Sequence, residues 1–420
     1  MKNRHDLVLT KRFCASLSII SIMLAEICFY KSGAMPLYTI LITIGLILTV
    51  LCAIMKDNLK QKYNYKFFFV WVILVYAMYF IYGFFIRKSD TFSWDSLLLR
   101  LIENISLYIC LDYLIMSDNT KMLKNVLLSI SIFSIAYLVI NEGAAIIANS
   151  GRIGGELSDN VNIVGYNMGL LATFHLWFYL KTKDKKNLLL FIILMILGLL
   201  TGSKKVLLIL ATNAVMYLCF NKDKIIKWLL VGAASVLAVV GLFSIPAFYN
   251  IMGRRVEKMV STMFVEDYAK SEYSYSTDMR EIMIKEGLEL IPEHPIFGGG
   301  WGFFASRTST GYRYSHNNFI EIMCSFGLFG LLMYYSITIR NTIILVKCKK
   351  SIVGKDLQAM VILAFMLILI ICLMDWTAVM FSAQCVWYVP IIISTIIVQK
   401  VLISQKEERI RLDENKKAIV

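Results

Sequence analysis

The sequence predicts an all-α membrane protein with about twelve transmembrane helices. Of its 420 residues, 58% are hydrophobic and the mean hydropathy is +0.67, which is too apolar for a soluble domain of this length. Apolar runs long enough to cross a bilayer recur along most of the chain, and one long polar stretch, 246–315, interrupts them. The chain therefore belongs to the class of polytopic membrane proteins.

The apolar runs divide the chain into four regions. Residues 1–245 hold nine predicted spans, 246–315 form a loop, 316–404 hold three more spans and 405–420 form a charged tail. The first run has no clear small-residue cleavage site, so we interpret it as a retained helix rather than a signal peptide. The predicted spans are 14–30, 36–55, 67–86, 96–116, 125–141, 161–180, 187–201, 206–220, 225–245, 318–339, 356–374 and 381–399.

The basic residues predict the orientation of these spans. Alternate loops form two sets, which hold 28 and 14 of the 43 Lys and Arg residues. Eight of the 14 lie in the long loop, where the positive-inside rule is weak, so both termini should be cytoplasmic and 246–315 should lie outside. The net charge of +14 is spread over short loops and does not indicate nucleic-acid binding. The nine cysteines form no C-x-x-C pair, and most are expected to be core residues.

A polar segment meets an apolar helix at His316. Asn318 and Glu321 have the spacing of a capping box, so the helix should start there, with His316 just before its N-terminus. The positive end of the helix dipole should favour a neutral imidazole, which can accept a proton. We therefore predict that His316 is a base at a membrane surface.

The polar loop 246–315 contains one predicted helix. Asp278 and Glu281 again have capping-box spacing, and Met279, Ile282 and Met283 should form its apolar face. A glycine-rich stretch follows at 295–302. Its glycines would allow the backbone to approach a ligand closely, or would simply turn the chain, and the sequence leaves both interpretations open.

Two motifs near His316 resemble a known family. His316-Asn317 is followed by nine residues and then by Gly327-Leu328-Phe329-Gly330, and His294-Pro295 precede Gly298-Gly299-Gly300. This pattern resembles the O-antigen ligase and polysaccharide polymerase superfamily, in motif over about 275–335 and in layout over the whole chain. The resemblance implies an integral enzyme of the bacterial cytoplasmic membrane with its active site on the extracytoplasmic face.

The resemblance also implies a reaction and its substrates. An oligosaccharide would pass from a polyprenyl pyrophosphate to an acceptor hydroxyl, with inversion and without metal or nucleotide cofactor. The expected partners are this lipid-linked donor, the glycan acceptor and membrane lipids, together with flippase and chain-length regulator proteins. The sequence has no Asp-x-Asp, phosphate loop or Gly-x-Gly-x-x-Gly motif, which agrees with a substrate that is already activated.

Within such a site, His316 would take the proton from the acceptor hydroxyl. Asn317 would orient the imidazole or bind the sugar. Arg280 is the first candidate for the pyrophosphate, because a guanidinium binds phosphate oxygens in a bidentate manner and no acidic residue lies three or four positions away.

Two further cations are candidates by resemblance. Lys204 follows Ser203, where family members usually have an arginine, so it is predicted to bind the pyrophosphate as a point charge, with Lys205 as the weaker alternative. Arg152 precedes Asp159-Asn160-Val161-Asn162, which resembles the Asn-Pro-Asn segment of the family with Val161 in place of proline. Arg152 is predicted to contact sugar or phosphate, with an ordinary polar loop as the alternative.

Several other polar and aromatic residues have a structural interpretation. Arg100 and Glu103 should neutralise each other inside the bundle, His175 should be a hydrogen-bonded core residue, and His294 should lie in a turn. Aromatic residues near the motif could stack on sugars or form an interfacial belt; they are Trp301, Phe303, Phe304, Tyr312 and Tyr314.

The sequence favours a polymerase that joins lipid-linked repeat units of a capsule, exopolysaccharide or O-antigen, because donor and acceptor are then the same kind of molecule. A ligase that transfers the finished glycan to lipid A core or another acceptor is the alternative. A transporter or flippase of lipid-linked sugars is the alternative from another class.

Overall fold

All regular structure in the described part of the chain is helical. The computed structural model describes residues 2–55, 66–86, 93–117, 120–148, 152–158, 160–221, 226, 233, 237, 241, 244–246, 249–254, 256–257, 275–308, 314–348, 354–379, 381 and 384–419. Over these residues there is no strand, as the sequence predicts for an all-α fold.

The α-helices are numbered here in chain order. They are α1 (Lys2–Cys28), α2 (Met35–Ile54), α3 (Lys66–Phe85), α4 (Trp94–Met116), α5 (Thr120–Ala148), α6 (Val161–Thr182), α7 (Lys185–Leu200), α8 (Lys204–Asn221), α9 (Tyr275–Leu290), α10 (Phe303–Arg307), α11 (Asn318–Cys348), α12 (Lys355–Thr377) and α13 (Val389–Ile419). Short 3-10 helices cover Ser32–Ala34, Ile291–Glu293 and Cys385–Tyr388, and a π-helical turn covers Tyr249–Gly253.

Seven helical segments among the described residues are long and apolar enough to cross a bilayer, which confirms a polytopic membrane protein. They are Leu7–Cys28, Met35–Ile54, Phe67–Phe85, Thr120–Ala144, Asn318–Cys348, Lys355–Thr377 and Cys385–Glu414. Helices α4, α6, α7 and α8 match four further predicted spans in position. The predicted span 225–245 lies mostly outside the described residues, so the number twelve stays a prediction.

Loops rich in lysine meet at one end of the bundle, called here the lysine-rich end. Lys11 donates to the carbonyl of Met55, and Lys400 donates to that of Ile115. Ion pairs join Lys124 to Asp184 and Lys181 to Asp356. The loops joined by these contacts belong to the set that holds 28 of the 43 basic residues, and they lie on one side of the bundle. The cytoplasmic location of that side stays a prediction.

The opposite end, called here the glycine-loop end, carries the glycine-rich stretch 295–302. Lys31 pairs with Glu156 there at 2.9 Å, and the N–H of Ile153 donates to the carbonyl of Leu200. Helices α7 and α8 are joined at this end by a turn of three residues, 201–203. Residues 152–158 and 201–203 therefore lie together, and the charge of Lys205, two residues beyond this turn, reaches His316.

The predicted pair of Arg100 and Glu103 is confirmed, and it has a third member. Arg100 contacts Glu103 at 2.8 Å and also bonds Glu26 on α1, while the Tyr38 hydroxyl lies 2.8 Å from a carboxylate oxygen of each glutamate. All four residues are buried. Ligand atoms of Glu26, Glu103 and Cys385 lie within 4.8 Å of one another, but the Arg100 guanidinium already occupies this cluster as its counter-charge.

His175 is a core histidine, as predicted. Its ring nitrogens lie 2.8 Å from the Ser131 hydroxyl and 3.1 Å from the Asn187 amide oxygen, and its side chain is buried within α6. Both ring nitrogens therefore have partners inside the protein, so His175 has a structural role.

Helix α9 packs against the beginning of α11. At Gly287 a Cβ atom would lie 2.3 Å from Ile320, so only glycine permits this approach, and the Cys324 thiol donates to the Gly287 carbonyl. Met283 is buried in this contact, whereas Ile282 is exposed, which corrects the predicted apolar face. The helix begins at Tyr275, three residues before the predicted capping residue Asp278.

Candidate active site

His316 lies at the glycine-loop end, two residues before α11 begins. Its φ of +57° is in the left-handed region, which few residues other than glycine adopt and which histidine enters more readily than most. The neighbouring backbone is fixed on both sides: the N–H of Ser315 donates to Glu321 at 2.7 Å, and the Ser315 hydroxyl donates to the carbonyl of Asn317 at 2.9 Å. Hydrogen bonds made by the neighbouring residue Ser315 therefore hold His316 in this conformation.

The capping residue of α11 is Asn317 rather than Asn318, which corrects the predicted capping box. The Asn317 side-chain oxygen accepts the N–H of Ile320 at 3.1 Å, and its amide nitrogen donates to the carbonyl of Trp376 at 3.3 Å. Glu321 reaches back to Ser315 instead of to the cap. These bonds use one N–H and one oxygen lone pair of the Asn317 amide, and its contact with the imidazole or with sugar stays a prediction.

The His316 imidazole is held in its neutral form. Burial, together with the positive charges of Arg280 and Lys205, lowers the pKa of His316 to about 4. Its ring contacts the exposed Tyr314 ring edge-on, with centroids 4.5 Å apart. The neutrality predicted from the helix dipole is therefore present, with burial and two cations as its causes.

Arg280 faces the same site from α9. It lies seven residues before Gly287, which places it on the helix face that meets α11. Its side chain is exposed, and none of the ion pairs among the described residues involves it. Arg280 is therefore an exposed guanidinium whose charge reaches His316, and its contact with pyrophosphate stays a prediction.

Lys205 is the lysine whose charge reaches His316. Burial and the charge of Arg280 lower the pKa of Lys205 to about 7, against the opposing charge of Asp375. The resemblance to the family favours Lys204 over Lys205 for the contact with pyrophosphate. Lys204 is the half-buried first residue of α8, and its contact with pyrophosphate stays a prediction.

Trp387 forms the wall beside Lys205. The Lys205 ammonium lies 4.9 Å from the centroid of the Trp387 ring, and that ring stacks on Tyr166 with centroids 3.7 Å apart. Neither Trp387 nor Tyr166 was a candidate in the sequence analysis. An aromatic wall whose two rings come from separate helical elements has no local signal in the sequence.

A buried polar network lies beneath His316 and was also missed. The Asn318 amide donates to the Tyr335 hydroxyl at 3.1 Å and accepts the N–H of Phe381 at 3.0 Å, and Tyr335 donates to Asp375 at 2.8 Å. A carboxylate at the end of an apolar run is a recognised signal of function, and Asp375 directly follows the predicted span 356–374. That signal could have identified Asp375.

Arg152 is placed against the turn that precedes α8. Its Nε donates to the carbonyl of Thr201 at 2.7 Å, and its Nη2 donates to the Asn162 side chain at 2.8 Å. Arg152 therefore supports the turn that leads to Lys204 and Lys205. Its direct contact with sugar or phosphate stays a prediction, and Asp159 in the motif after it lies outside the described residues.

The glycine-rich stretch approaches a broken helix rather than a ligand. Helix α11 is interrupted at Gly327, where φ is +65° and ψ is −164°. The N–H groups of Gly299 and Gly300 donate to the carbonyls of Cys324 and Ser325, while those of Leu328 and Phe329 donate to the carbonyls of Pro295 and Ile296. The stretch thus satisfies the backbone groups that the break exposes, and neither sequence interpretation had included this role.

The aromatic residues near the motif divide by burial. Trp301, Phe303 and Phe304 are buried, so neither the sugar platform nor the interfacial belt describes them. Tyr314 is exposed beside His316, and Tyr312 lies outside the described residues. His294 lies at the end of the 3-10 helix Ile291–Glu293, where its carbonyl accepts the N–H of Gly298, so it is a turn residue as predicted.

These observations define a polytopic, all-α membrane protein with a neutral imidazole and two cations at one end of its bundle. Residues 188–335 match the family model described as O-antigen ligase, and this match supports the resemblance to the O-antigen ligase and polymerase superfamily. The matched region includes His316, Arg280 and Lys205 and excludes Arg152 and Asp375. No curated protein matches the sequence. The family match supports an enzyme of surface-polysaccharide synthesis of the ligase or polymerase type.

Proposed function

We propose that the protein polymerises polyprenyl-pyrophosphate-linked oligosaccharide repeat units into a surface polysaccharide on the outer face of the bacterial cytoplasmic membrane. The observation that carries this proposal is the proximity of His316, Arg280 and Lys205, which is close enough for the two cations to lower the pKa of the imidazole. A neutral base beside two cations is the arrangement that a hydroxyl nucleophile and a diphosphate leaving group require.

The reaction would proceed in one displacement. The acceptor hydroxyl attacks the anomeric carbon of the donor, its proton passes to His316, and the bond between that carbon and the diphosphate oxygen breaks with inversion. The electron pair of this bond leaves with the diphosphate, whose charge Arg280 and Lys205 stabilise. Arg152 and Lys204 are further candidates for the donor, and the network of Asn318, Tyr335 and Asp375 supports the site from below.

A ligase that transfers the finished glycan to lipid A core or another acceptor would use the same chemistry. The polymerase is preferred because both of its substrates carry the same lipid-linked glycan, so one recognition surface would serve both. A flippase of lipid-linked sugars is less well supported, because the cations and His316 gather at one end of the bundle rather than at its middle.

The decisive experiment examines lipid-linked glycans in a deletion strain that carries either the wild-type gene or His316→Ala. With wild-type protein, polymer should form. With His316→Ala, single repeat units should accumulate on the carrier lipid while the protein remains inserted at normal abundance, since loss of a general base lowers rates by roughly 10²–10⁴. Long chains on the carrier lipid would indicate a ligase instead, and full-length polymer made by His316→Ala would reject the role of the base.

A further inference from the structure

Trp387 is held differently from two other buried tryptophans. The indole nitrogens of Trp71 and Trp177 donate to backbone carbonyls, at 3.1 Å and 2.8 Å. Among the described residues, the Trp387 indole nitrogen has no hydrogen-bond partner, although the atom is buried. The Trp387 ring instead makes its specific contacts through its faces, with Tyr166 and with the Lys205 ammonium.

The turn that carries Trp387 is itself anchored. Trp387 belongs to the 3-10 helix Cys385–Tyr388 that leads into α13, and the backbone N–H of Trp387 donates to the carbonyl of Gln384 at 3.1 Å. The Tyr388 hydroxyl donates to the carbonyl of Phe381 at 2.7 Å. The ring is therefore a fixed surface against which a flexible lysine side chain can be held.

Lys205 needs such a surface, because its surroundings disfavour its charge. The half-buried ammonium lies near Arg280, which repels it, and its charge also reaches His316. Asp375 is the carboxylate that favours the charged form, and it lies on α12. The π face of an indole attracts a cation most strongly where the cation is partly desolvated, as Lys205 is.

In the described part of the chain, several elements bring charged or aromatic groups toward Lys205. They are Arg280 on α9, His316 before α11, Asp375 on α12 and Trp387 before α13, with Tyr166 of α6 behind the Trp387 ring and Arg152 against the turn before α8. Asp375 is the one acidic residue in this set, so the aromatic ring is a second group that favours the ammonium.

We propose that Trp387 is a positioning residue that holds the Lys205 ammonium beside His316, charged and directed at the anionic diphosphate of the lipid-linked donor. This inference rests on the proposed function. Tyr166 supports the ring from its stacked face. The indole ring thus determines the pH range over which Lys205 is charged and can stabilise the leaving diphosphate.

The test measures the pH dependence of turnover in full-length protein purified in detergent. In the wild type, turnover should fall at high pH as Lys205 loses its proton, and this fall is called here the alkaline limb. In Trp387→Leu the Lys205 ammonium loses its contact with the ring, so the alkaline limb should move by roughly one pH unit to lower pH. Trp387→Phe keeps a π face and should retain the limb near its wild-type position. A limb at the same pH in Trp387→Leu and in the wild type would overturn the proposal.

A rescue variant separates positioning from packing. Lys205→Arg in the Trp387→Leu background replaces a titrating ammonium with a guanidinium that stays charged, so this double variant should show no alkaline limb below pH 9 or so. A limb that persists in the double variant would assign the effect of Trp387 to something other than Lys205.

The matched control is Trp177→Leu at the lysine-rich end. Trp177 is also buried and also has a lysine over its ring, with the Lys181 ammonium 5.5 Å from the centroid. Its removal should lower thermal stability and leave the pH profile unchanged. If Trp177→Leu moved the limb as far as Trp387→Leu, the shift would be a general packing effect and the proposal would be rejected.

Two measurements keep the proposal testable under other outcomes. If Trp387→Leu does not fold, site-specific fluorination of Trp387 weakens the π face without changing its shape, and the limb should move to lower pH with each added fluorine; no movement overturns the proposal. If the wild-type protein makes no polymer, the proposed function fails. The contact between Lys205 and Trp387 is then tested by the increase in melting temperature that inorganic pyrophosphate causes. This increase should be lost as the pH rises from 6 to 8.5, and it should be lost at a lower pH in the fluorinated protein than in the wild type.

Discussion

The carboxylate of Glu321 accepts the backbone N–H of Ser315 at 2.7 Å, and it thereby holds the segment that carries His316 against the first turn of α11. Both groups are buried. His316 keeps its left-handed backbone because the residues before and after it are both anchored, through Glu321 on one side and through the Asn317 cap on the other.

Glu321→Leu should therefore displace the base without unfolding the bundle. The variant leaves the Ser315 N–H without an acceptor, at a cost of about 1–3 kcal/mol, and turnover should fall by roughly a hundredfold because a small displacement of the base is enough. Glu321→Gln keeps an acceptor oxygen and should retain most of the activity. Turnover and thermal unfolding of both variants provide the measurement, and wild-type turnover in Glu321→Leu would contradict the anchoring role.

Alanine substitution should distinguish the two adjacent lysines. Lys205→Ala removes the cation beside His316, and should lower turnover by roughly 10²-fold or more. Lys204→Ala should lower it by less than tenfold, because Lys205 is the lysine that lies over the Trp387 ring and whose charge reaches His316. The two variants are compared for turnover at saturating lipid-linked donor. Equal losses would show that Lys204 is a second diphosphate ligand, as the sequence comparison with the family had predicted.

The plot of kcat/KM against pH should have an acid limb and an alkaline limb. His316 acts as a neutral base, so kcat/KM should rise as the pH passes about 4, the pKa to which burial and two cations lower it. Lys205 acts as a cation, so kcat/KM should fall as the pH rises through about 7. Bound diphosphate favours the charged lysine, so the alkaline limb of kcat should lie at higher pH than that of kcat/KM. An alkaline limb that is unchanged in Lys205→Arg would exclude Lys205 as its source.

The glycine at the break of α11 should tolerate no side chain. A Cβ at Gly327 would lie 2.4 Å from the Ile296 carbonyl group, and the residue has a positive φ, so Gly327→Ala should lower the unfolding free energy by at least about 2 kcal/mol. Gly155→Ala is the matched control, because nothing lies within 4 Å of its Cβ position. Thermal unfolding in detergent compares the two. Equal stability of both variants would contradict the backbone contact between 295–300 and α11.

The sequence predicted the class of the fold and the residue at the centre of the candidate site, because both depend on local patterns. Long apolar runs are recognisable without knowledge of their neighbours, and His316 stands where a polar stretch meets one of them. The cap of α11 was placed one residue too late because Asn317 and Asn318 can both cap a helix. The choice depends on Tyr335 and Phe381, which occupy the Asn318 amide and are distant in sequence.

The remaining parts of the site depend on the relative positions of helices, which no local pattern contains. Whether Lys204 or Lys205 faces His316 is decided by the rotation of α8 about its axis, and two consecutive lysines carry no information about that rotation. Trp387 and Tyr166 are separated by more than 200 residues and meet only in the folded bundle. Asp375 had a signal of its own, as a carboxylate at the edge of an apolar run, and a search for such residues would have found it.

The break in α11 gives the nine residues 318–326 a separate attachment within the molecule. Their last carbonyl groups bind the glycine-rich stretch instead of continuing the hydrogen-bond ladder toward Cys348, while Ile320 and Cys324 pack on α9. Ile322 and Phe326 pack in the main core, and Asn318 bonds Tyr335 and Phe381. Residues 318–326 therefore bridge α9 and the main bundle, so a substitution in this segment would disturb the proposed base and its cations together.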